Sequence, residues 1–448
     1  MDINSYFSSL AGKSVAVLGL GVSNLPLARR LIECGARVTI RDKNENPVGA
    51  EEFRAAGAKL VLGENYLENI DEEVIFRSPG IRPDVPGIAA AVQRGAELTS
   101  EMEAFFVVCP CPVIAVTGSD GKTTTSTLIS EFLKAAGRTV HLGGNIGTPL
   151  LCKAGDMRED DFAVVELSSF QLMTMKQSPH IAVITNITPN HLDWHTGMEE
   201  YTAAKINVFA HQRAGDILVL NADDSASCNL GKKAAGELRF FSAKERPEKG
   251  VWYKDGVIYR GDEKVVETLK IKIPGFHNVY NFMTAYCAVC DYVTAEQAAE
   301  VAESFGGVEH RLEFVREKDG VRFVNDSIAS SPTRTAAALS CYGKELVLIA
   351  GGKDKGVPFD SLAPIIAEKV NLLVLTGFAA ENIKNAVKDW PGCPEIIMEP
   401  DFKTAVIAAA KGAKSGETVL LSPACTSFDH FKNFDQRGKY FKEIVNEL

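Results

Sequence analysis

Val113-Ile-Ala-Val-Thr-Gly-Ser-Asp-Gly-Lys-Thr-Thr-Thr125 is the stretch that decides how this chain folds. Val113 to Val116 is an apolar β-run, and it feeds a loop holding Gly118, Ser119, Asp120 and Gly121. Lys122, Thr123 and Thr124 then open a segment of helical periodicity, with Leu128, Ile129, Phe132, Leu133 and Ala136 on its apolar face. It stops at Gly137, a residue suited to the left-handed position after a helix. Strand, glycine loop, Lys-Thr pair and helix N-terminus make a polyphosphate cradle. Loop N–H groups and the positive end of the helix dipole face the phosphates, an ammonium meets the β/γ oxygens, and a hydroxyl ligates Mg²⁺. The spacing departs from G-x-x-x-x-G-K-[ST], whose first glycine would fall at Val116. A glycine-rich turn that merely contains a lysine is the bland reading. It leaves the flanking strand and helix unexplained.

At 448 residues the chain exceeds one ordinary core, so two or three domains are expected. With 46% hydrophobic and 24% charged residues the composition is that of a soluble globular protein. A formal net charge of −10 argues against nucleic acid or an anionic membrane as main partner. Anionic ligands must then be held by local cations and helix N-termini. Met1-Asp-Ile-Asn-Ser-Tyr6 has no basic stretch leading into an apolar one, and no uncharged apolar run reaches spanning length, so the cytoplasm is expected. Ten cysteines are scattered without a framework, as reduced thiols are. Cys287-Ala-Val-Cys290 lies in a helical pattern without a second ligand pair and reads as core packing.

Three blocks follow along the chain. In the first, Ser14–Gly19, Val38–Asp42 and Val74–Gly80 read as strands, the last running into a turn, and Leu25 to Cys34 as a helix ending at Gly35. This is a small α/β unit with a parallel sheet. The second block starts at the strand before the phosphate loop and continues with strands Phe162–Val165, Ile181–Thr185 and Ile217–Leu220. Between Phe240 and Ile273 the pattern turns to short antiparallel strands with an Asp255-Gly256 hairpin signal. Helices are expected over about 278–291 and 295–304. The third block begins after Gly306-Gly307, with strands Val321–Val324, Leu346–Ile349, Leu372–Leu375 and Val419–Leu421.

Several motifs sit at strand ends. Gly19-Leu-Gly21-Val-Ser-Asn24 is a partial dinucleotide fingerprint whose third glycine is Asn24, and Asp42 sits near where a ribose-binding acid would. Physically it is a helix N-terminus able to hold a pyrophosphate, of which NAD is one example. Ser78-Pro-Gly80 would face the same crevice. Glu166 ends an apolar strand, where a carboxylate can reach Mg²⁺ on the phosphates or be an ordinary solvated strand end. His191 and Asp193 lie just past the strand ending at Thr185 and make a second ligand cluster plausible. Lys205, taken alone, reads as a solvated helix lysine. Asn278 and Asn281 are one turn apart on a helix and suit an adenine edge, though N-capping explains Asn278 equally well. Gly351-Gly-Lys-Asp-Lys-Gly356 and Ser422-Pro-Ala-Cys-Thr-Ser-Phe-Asp429 are weak signals, a flexible cationic loop and a hydroxyl-rich loop where a carboxylate could dock.

In this order the motifs resemble the ATP-dependent Mur ligases of bacterial cell-wall synthesis, over essentially the whole chain. The resemblance rests on Thr117–Thr124, Glu166-Leu-Ser-Ser-Phe-Gln-Leu172, Asn186-Ile-Thr-Pro-Asn-His-Leu-Asp193, Tyr201 to Lys205, Gly275-Phe-His-Asn278 with Asn281, and His310-Arg311. Gly19-Leu-Gly21, Ser78-Pro-Gly-Ile81, Asn325-Asp-Ser327, Gly351–Lys355, Leu421–Asp429 and Phe431–Gly438 are similar to the branch that adds D-glutamate to UDP-N-acetylmuramoyl-L-alanine. The resemblance implies an α/β protein of three domains. They are a Rossmann-like UDP-sugar-binding domain (1–100), a central P-loop ATPase-type domain with a small antiparallel sheet (101–307), and a Rossmann-like amino-acid-binding domain (308–448). It implies that ATP phosphorylates the substrate carboxylate and that the amine of D-glutamate attacks the acyl phosphate.

By the same resemblance, Gly118 to Thr124 would hold ATP with Asn278, Asn281, Arg311 and Asp326. Lys122 would neutralise the transferring phosphoryl group, and Thr123 and Glu166 would hold one Mg²⁺. His191 and Lys205 would serve a second, Lys205 as a carbamate formed with CO₂. Val22, Ser23, Asp42, Ser78, Gly80 and Asn145 would bind the UDP-sugar, so the first fingerprint would serve UDP rather than NAD. Ser330, Lys355, Ser427 and Phe428 would fix D-glutamate. The partners are small molecules, and a cytoplasmic monomer is implied. Three residues depart from the family pattern: Asp120 stands where many relatives carry asparagine, Ile328 where a lysine is usual, and Ser330 replaces threonine. A relative adding meso-diaminopimelate or L-lysine would need an Asp-Asn-Pro-Arg motif that the last block lacks. A folylpolyglutamate synthase would not need the first-block nucleotide site. A dehydrogenase would leave Lys122, Glu166 and Lys205 unused, and intact Lys122, Glu166, His191 and Lys205 argue against a catalytically dead scaffold.

Overall fold

The computed structural model describes residues 1–191, 194–354 and 356–448. Two compact units emerge, Met1–Lys270 with Val279–Glu303, and Ile271–Asn278 with Ser304–Leu448. The first unit carries two sheets. In one, β1 (Ser14–Leu18), β2 (Arg37–Asp42), β3 (Lys59–Leu62), β4 (Val74–Arg77) and β5 (Glu97–Thr99) run parallel in the order β3-β2-β1-β4-β5. The chain reverses its direction of growth between β1 and β4, which opens a crevice at their C-terminal ends.

The other sheet has nine strands: β6 (Val113–Thr117), β7 (Val140–Gly144), β8 (Phe162–Glu166), β9 (Ile181–Ile184), β10 (Ile217–Asn221), β11 (Glu237–Ser242), β12 (Gly250–Lys254), β13 (Val257–Arg260) and β14 (Glu263–Glu267). Their order is β14-β13-β12-β11-β10-β9-β6-β8-β7. Strands β6, β8, β9 and β10 are buried along their whole length, as continuous Val/Ile/Leu runs demand when helices cover both faces. The helix Lys122–Ala135 inserts Phe132 edge-on against Phe282, with ring centroids 5.0 Å apart. The antiparallel strands expected after Phe240 are β12 to β14, and they continue this same sheet; the β11–β12 pair is parallel. Asp255 and Gly256 both have positive φ, 47° and 83°, as a tight primed hairpin turn requires. One apolar cluster runs from Phe7 and Val17 through Phe105 to Leu151 and Val165, so the two sheets of this unit share a core.

The second unit holds β15 (Glu313–Lys318), β16 (Val321–Asn325), β17 (Leu346–Gly351), β18 (Val370–Thr376), β19 (Glu395–Met398) and β20 (Thr418–Leu421), ordered β15-β16-β20-β17-β18-β19. Only β15 is antiparallel to its neighbour. Strands β3, β5, β7, β15 and β19 escape the sequence pattern. All are edge strands, most are short or carry exposed charged ends, and half-solvated edges do not need continuous apolar runs. Cys287 and Cys290 are buried within the helix Phe276–Val289 and the turn after it, as core packing requires. Among the described residues no helix is long and apolar enough to cross a membrane.

Candidate active site

The phosphate loop leaves the end of β6 and enters the helix at Lys122. Gly118 has φ 144°, and a Cβ there would stand 1.9 Å from Thr185 Oγ1; Gly121 has φ 78°, and its Cβ would stand 2.3 Å from Asn281 Oδ1. Both glycines are therefore dictated by backbone and by space. The loop is pinned from β9's exit: Asn186 O accepts from Ser119 N–H (3.0 Å), Asn186 Oδ1 accepts from Asp120 N–H (3.0 Å), and Thr185 Oγ1 donates to Asp120 O (2.6 Å). Ser119 Oγ donates to Thr188 O at 2.8 Å and lies 2.9 Å from Tyr201 OH. Lys122 Nζ donates to the carbonyls of Gly118 (3.0 Å) and Ser119 (2.9 Å). Thr124 is buried in the first helical turn, while the Asp120 carboxylate is exposed.

Strand β8 lies beside β6 in the sheet although β7 separates them in sequence. That adjacency brings Glu166, 2% exposed, to the loop. Its Oε2 accepts from Thr123 Oγ1 at 2.7 Å and its Oε1 from Asn145 Nδ2 at 2.8 Å. Asn145, expected beside the UDP-sugar, is thus bonded to the carboxylate of the phosphate site. Thr123 and Glu166 offer the hard oxygen donors that Mg²⁺ takes.

Lys205 is not a solvated helix lysine. It is 1% exposed on the helix Met198–Ile206, and its Nζ donates to Gly118 O (2.7 Å) and Thr117 Oγ1 (3.3 Å) over the Tyr201 ring. Burial, aided by the Lys122 charge, pushes its ammonium well below the ordinary lysine range. His191 is exposed with φ 54°, its ring 5.0 Å from that of Phe170. Asp193 lies outside the described residues.

In the first sheet, Asp42, Asn24 and Ser78 are bonded to the glycine loop at the β1–β4 crevice. Asp42 Oδ2 accepts from Leu20 N–H at 2.6 Å and Oδ1 from Asn44 N–H at 2.8 Å, so its carboxylate props the glycine loop. Asn24, buried where the third fingerprint glycine would be, donates to Gly19 O (2.8 Å) and Ser78 Oγ (3.1 Å). It ties the two loops together, which a glycine could not. Ser23 precedes the helix Asn24–Glu33, Val22 is 75% exposed at the mouth, and Gly80 O accepts from Trp194 Nε1 at 3.2 Å.

Asn281 accepts from Thr125 Oγ1 at 3.5 Å within the first unit. In the second unit, Asn278 lies inside the helix Phe276–Val289, past the N-cap position, and its Nδ2 donates back to Pro274 O at 2.6 Å. Asp326, at the exit of β16, accepts from Ser422 Oγ (2.7 Å) and Leu312 N–H (3.3 Å). Burial raises its carboxyl to about 7, against the pull of Arg311. Ser427 is buried, Ser330 half-buried, and Phe428 is 62% exposed. Lys355 lies outside the described residues.

Three family models cover most of the chain: the MurD-like N-terminal domain of Mur ligases at 13–100, the Mur ligase middle domain at 116–289, and the glutamate ligase domain of Mur ligases at 310–425. The chain belongs to the Mur ligase family. It is 47% identical to the UDP-N-acetylmuramoylalanine–D-glutamate ligase of Ruminiclostridium cellulolyticum, covering 100% of this chain and 99% of that one. It is 48% identical, over the same shares, to the ligase of that name from Acetivibrio thermocellus. Two solved structures share the fold: UDP-N-acetylmuramate–alanine ligase MurC from Thermotoga maritima (TM-score 0.60, 17% identity, 97% and 99% of the two chains) and MurF from Acinetobacter baumannii (TM-score 0.60, 16%, 97% and 91%).

Two arginines of this Mur ligase escaped the sequence reading. Arg82 donates to both oxygens of Glu200 (2.9 and 3.1 Å), to Asp84 and to Trp194 O. Glu200 in turn meets His195 Nδ1 (3.1 Å), whose Nε2 meets Ser169 Oγ (2.8 Å). Arg437, 2% exposed, donates to Ser327 Oγ (3.1 Å), Ser327 O (2.9 Å) and Cys425 O (3.1 Å), tying the loops after β16 and β20. Arg437 falls in the Phe431–Gly438 stretch that carried the resemblance, but no local pattern says that an arginine there is buried.

Proposed function

We propose that this Mur ligase joins D-glutamate to UDP-N-acetylmuramoyl-L-alanine, with ATP phosphorylating the substrate carboxylate and ADP and phosphate released. The proposed domains are 1–100 for the UDP-sugar, 101–307 for ATP and 308–448 for the amino acid, in a cytoplasmic monomer. The observation that carries the reading is the convergence of Lys122, Thr123, Glu166 and Lys205 on the Gly118–Lys122 loop. Backbone groups of Gly118 to Thr124 cradle the polyphosphate, and the Lys122 ammonium leaves its loop carbonyls for the γ-phosphoryl oxygens. Asn278, Asn281, Arg311 and Asp326 seat the nucleoside and phosphates. The Gly19–Ser23 loop with Val22, Ser23, Asp42, Ser78 and Gly80 receives UDP at the switch point of the first sheet, and Asn145 would serve the sugar only on leaving the Glu166 carboxylate. Ser330, Lys355, Ser427 and Phe428 take the carboxylates of D-glutamate.

Thr123 and Glu166 would hold one Mg²⁺, and His191 with Lys205 a second; the ions supply charge neutralisation for the crowded oxygens. A lysine ligates a hard cation only after conversion to an anion. Burial favours the neutral form of the Lys205 amine, which can attack CO₂, forming an N–C bond and releasing one proton to give a carbamate. The test is amino-acid-dependent ADP release with the UDP-sugar, expected to be fastest with D-glutamate. Equal turnover with L-lysine or diaminopimelate would overturn the specificity. Lys205→Ala should lose at least about a hundredfold in kcat and recover part of it with added formate. Full activity of that variant without rescue would refute the carbamate.

A further inference from the structure

Between the helix Glu101–Val108 and β6 the chain reads Cys109-Pro-Cys111, and the two Sγ atoms lie 3.6 Å apart. Both ends of this short segment are anchored. Cys109 N–H closes the helix on Phe105 O (2.9 Å), and Pro112 O accepts from Ala163 N–H at 3.0 Å where β6 joins β8. Cys109 is held extended (φ −63°, ψ 120°), and Pro110 fixes the torsion between the two cysteines. The folded chain therefore holds two thiols in van der Waals contact on a segment fixed at both ends. Cys109 is half-buried, whereas Cys111 is 6% exposed. Cys290, by contrast, donates its S–H to the Cys287 carbonyl (3.6 Å) in the helical core, so that pair has no comparable contact with solvent.

We propose that Cys109 and Cys111 form an oxidisable dithiol that closes to an intramolecular disulfide when the protein meets a peroxide. Cys109 is the attacking sulfur: it is the less buried of the two, and the neighbouring Cys111 group holds its thiol below the ordinary range. Its sulfur attacks a peroxide oxygen, the O–O bond breaks, and one water leaves a sulfenic acid. Cys111 sulfur then attacks that sulfur, the S–O bond breaks, the Cys111 proton leaves with the hydroxyl as a second water, and the S–S bond is made. Two thiols lose two electrons, and hydrogen peroxide gains them.

The experiment treats the full-length protein with stoichiometric hydrogen peroxide, alkylates the remaining thiols, and digests with trypsin. Cleavage after Arg94 and Lys122 releases one peptide, Gly95–Lys122, that carries both cysteines and no other. That peptide should appear unalkylated and lighter by two hydrogens, and return to the doubly alkylated form after dithiothreitol. Peptides bearing the other cysteines should stay alkylated. Cys109→Ser and Cys111→Ser should each abolish the lighter peptide, and the half-exposed Cys109 position makes the first of these the safer variant for folding. Recovery of Gly95–Lys122 doubly alkylated under excess peroxide, or with Cys109 as an irreversible sulfinic acid, would overturn the proposal.

Discussion

Lys122 and Lys205 donate to the same oxygen: their Nζ atoms lie 3.0 and 2.7 Å from the carbonyl of Gly118. Lys205 is the more buried of the two, and its ammonium is held well below the ordinary lysine range. Burial is the main cause and the Lys122 charge the second. A lysine held below its unfolded value of 10.5 costs stability at neutral pH. The sign follows from proton counting: between the two values the unfolded chain binds the extra proton, so stability rises with pH across that window and the cost is gone above 10.5. Lys205→Met is therefore expected to melt higher than the parent at pH 7 in CO₂-free buffer while losing ligase activity. The gain should shrink as the pH approaches 10.5. Bicarbonate should raise the melting temperature of the parent alone. A variant that melts lower at every pH would contradict this.

The two loop glycines should fail differently. A Cβ at Gly118 meets the branched Thr185 side chain and its backbone N (1.9 and 3.1 Å), neither of which can retreat without breaking β9's exit. At Gly121 it meets the far end of the Asn281 amide, which can swing away. Gly118→Ala should cost about 2–3 kcal/mol and abolish ATP turnover, whereas Gly121→Ala should cost about 1 kcal/mol and mainly raise the KM for ATP. Denaturant unfolding alongside ATP titration separates the two, and equal losses would count against the steric argument.

The sequence was most informative where chemistry and fold require the same residues. Strands β6, β8, β9 and β10 are buried on both faces, so apolar runs had to mark them, and the glycine loop follows from the backbone it must adopt. Glu166 was legible as a strand end, but its adjacency to β6 was not, because β7 intervenes in the chain and strand order is a long-range property. Lys205 misled for the same reason: nothing local to its helix marks a lysine as buried, and packing on Tyr201 and Gly118 removes the amine from water. Asn24 looked like a defective glycine and is instead a linker between two loops. Arg82 belongs to no motif, since an arginine followed by proline carries no local sign of its partners.

Arg82 joins the turn after β4 to the helix that bears Lys205. It donates to both oxygens of Glu200, lies 5.0 Å over the Trp194 ring, and holds the Glu200 carboxyl down to about 2. The stabilisation this implies is present above the unfolded value of 4.5 and is lost as pH falls through about 2. Both side chains remain partly solvated, so Arg82→Ala should cost only about 1 kcal/mol at pH 7. Its larger effect should be on KM for the UDP-sugar, because Gly80 and Trp194 move with it, with kcat reduced less. Arg82→Lys should restore charge but not the bidentate fork and recover only part of the KM. An unchanged KM with a lowered kcat would place Arg82's influence elsewhere.

Asp120 places a carboxylate inside the phosphate loop. Its backbone is fully employed, with N–H to Asn186 Oδ1 and C=O accepting from Thr185, but its side chain is exposed and only grazes Thr188 Oγ1 at 3.5 Å. The loop geometry therefore does not depend on the carboxylate, and Asp120→Asn should leave the melting temperature within about 1 °C. Removing one negative charge beside a polyphosphate should strengthen nucleotide binding by about 1 kcal/mol, close to fivefold in Kd for ATP at low salt. The gain should fade as ionic strength rises, because the group faces solvent. Weaker ATP binding by the asparagine variant, together with a higher Mg²⁺ requirement, would show that the carboxylate acts through the cation and not against the phosphates.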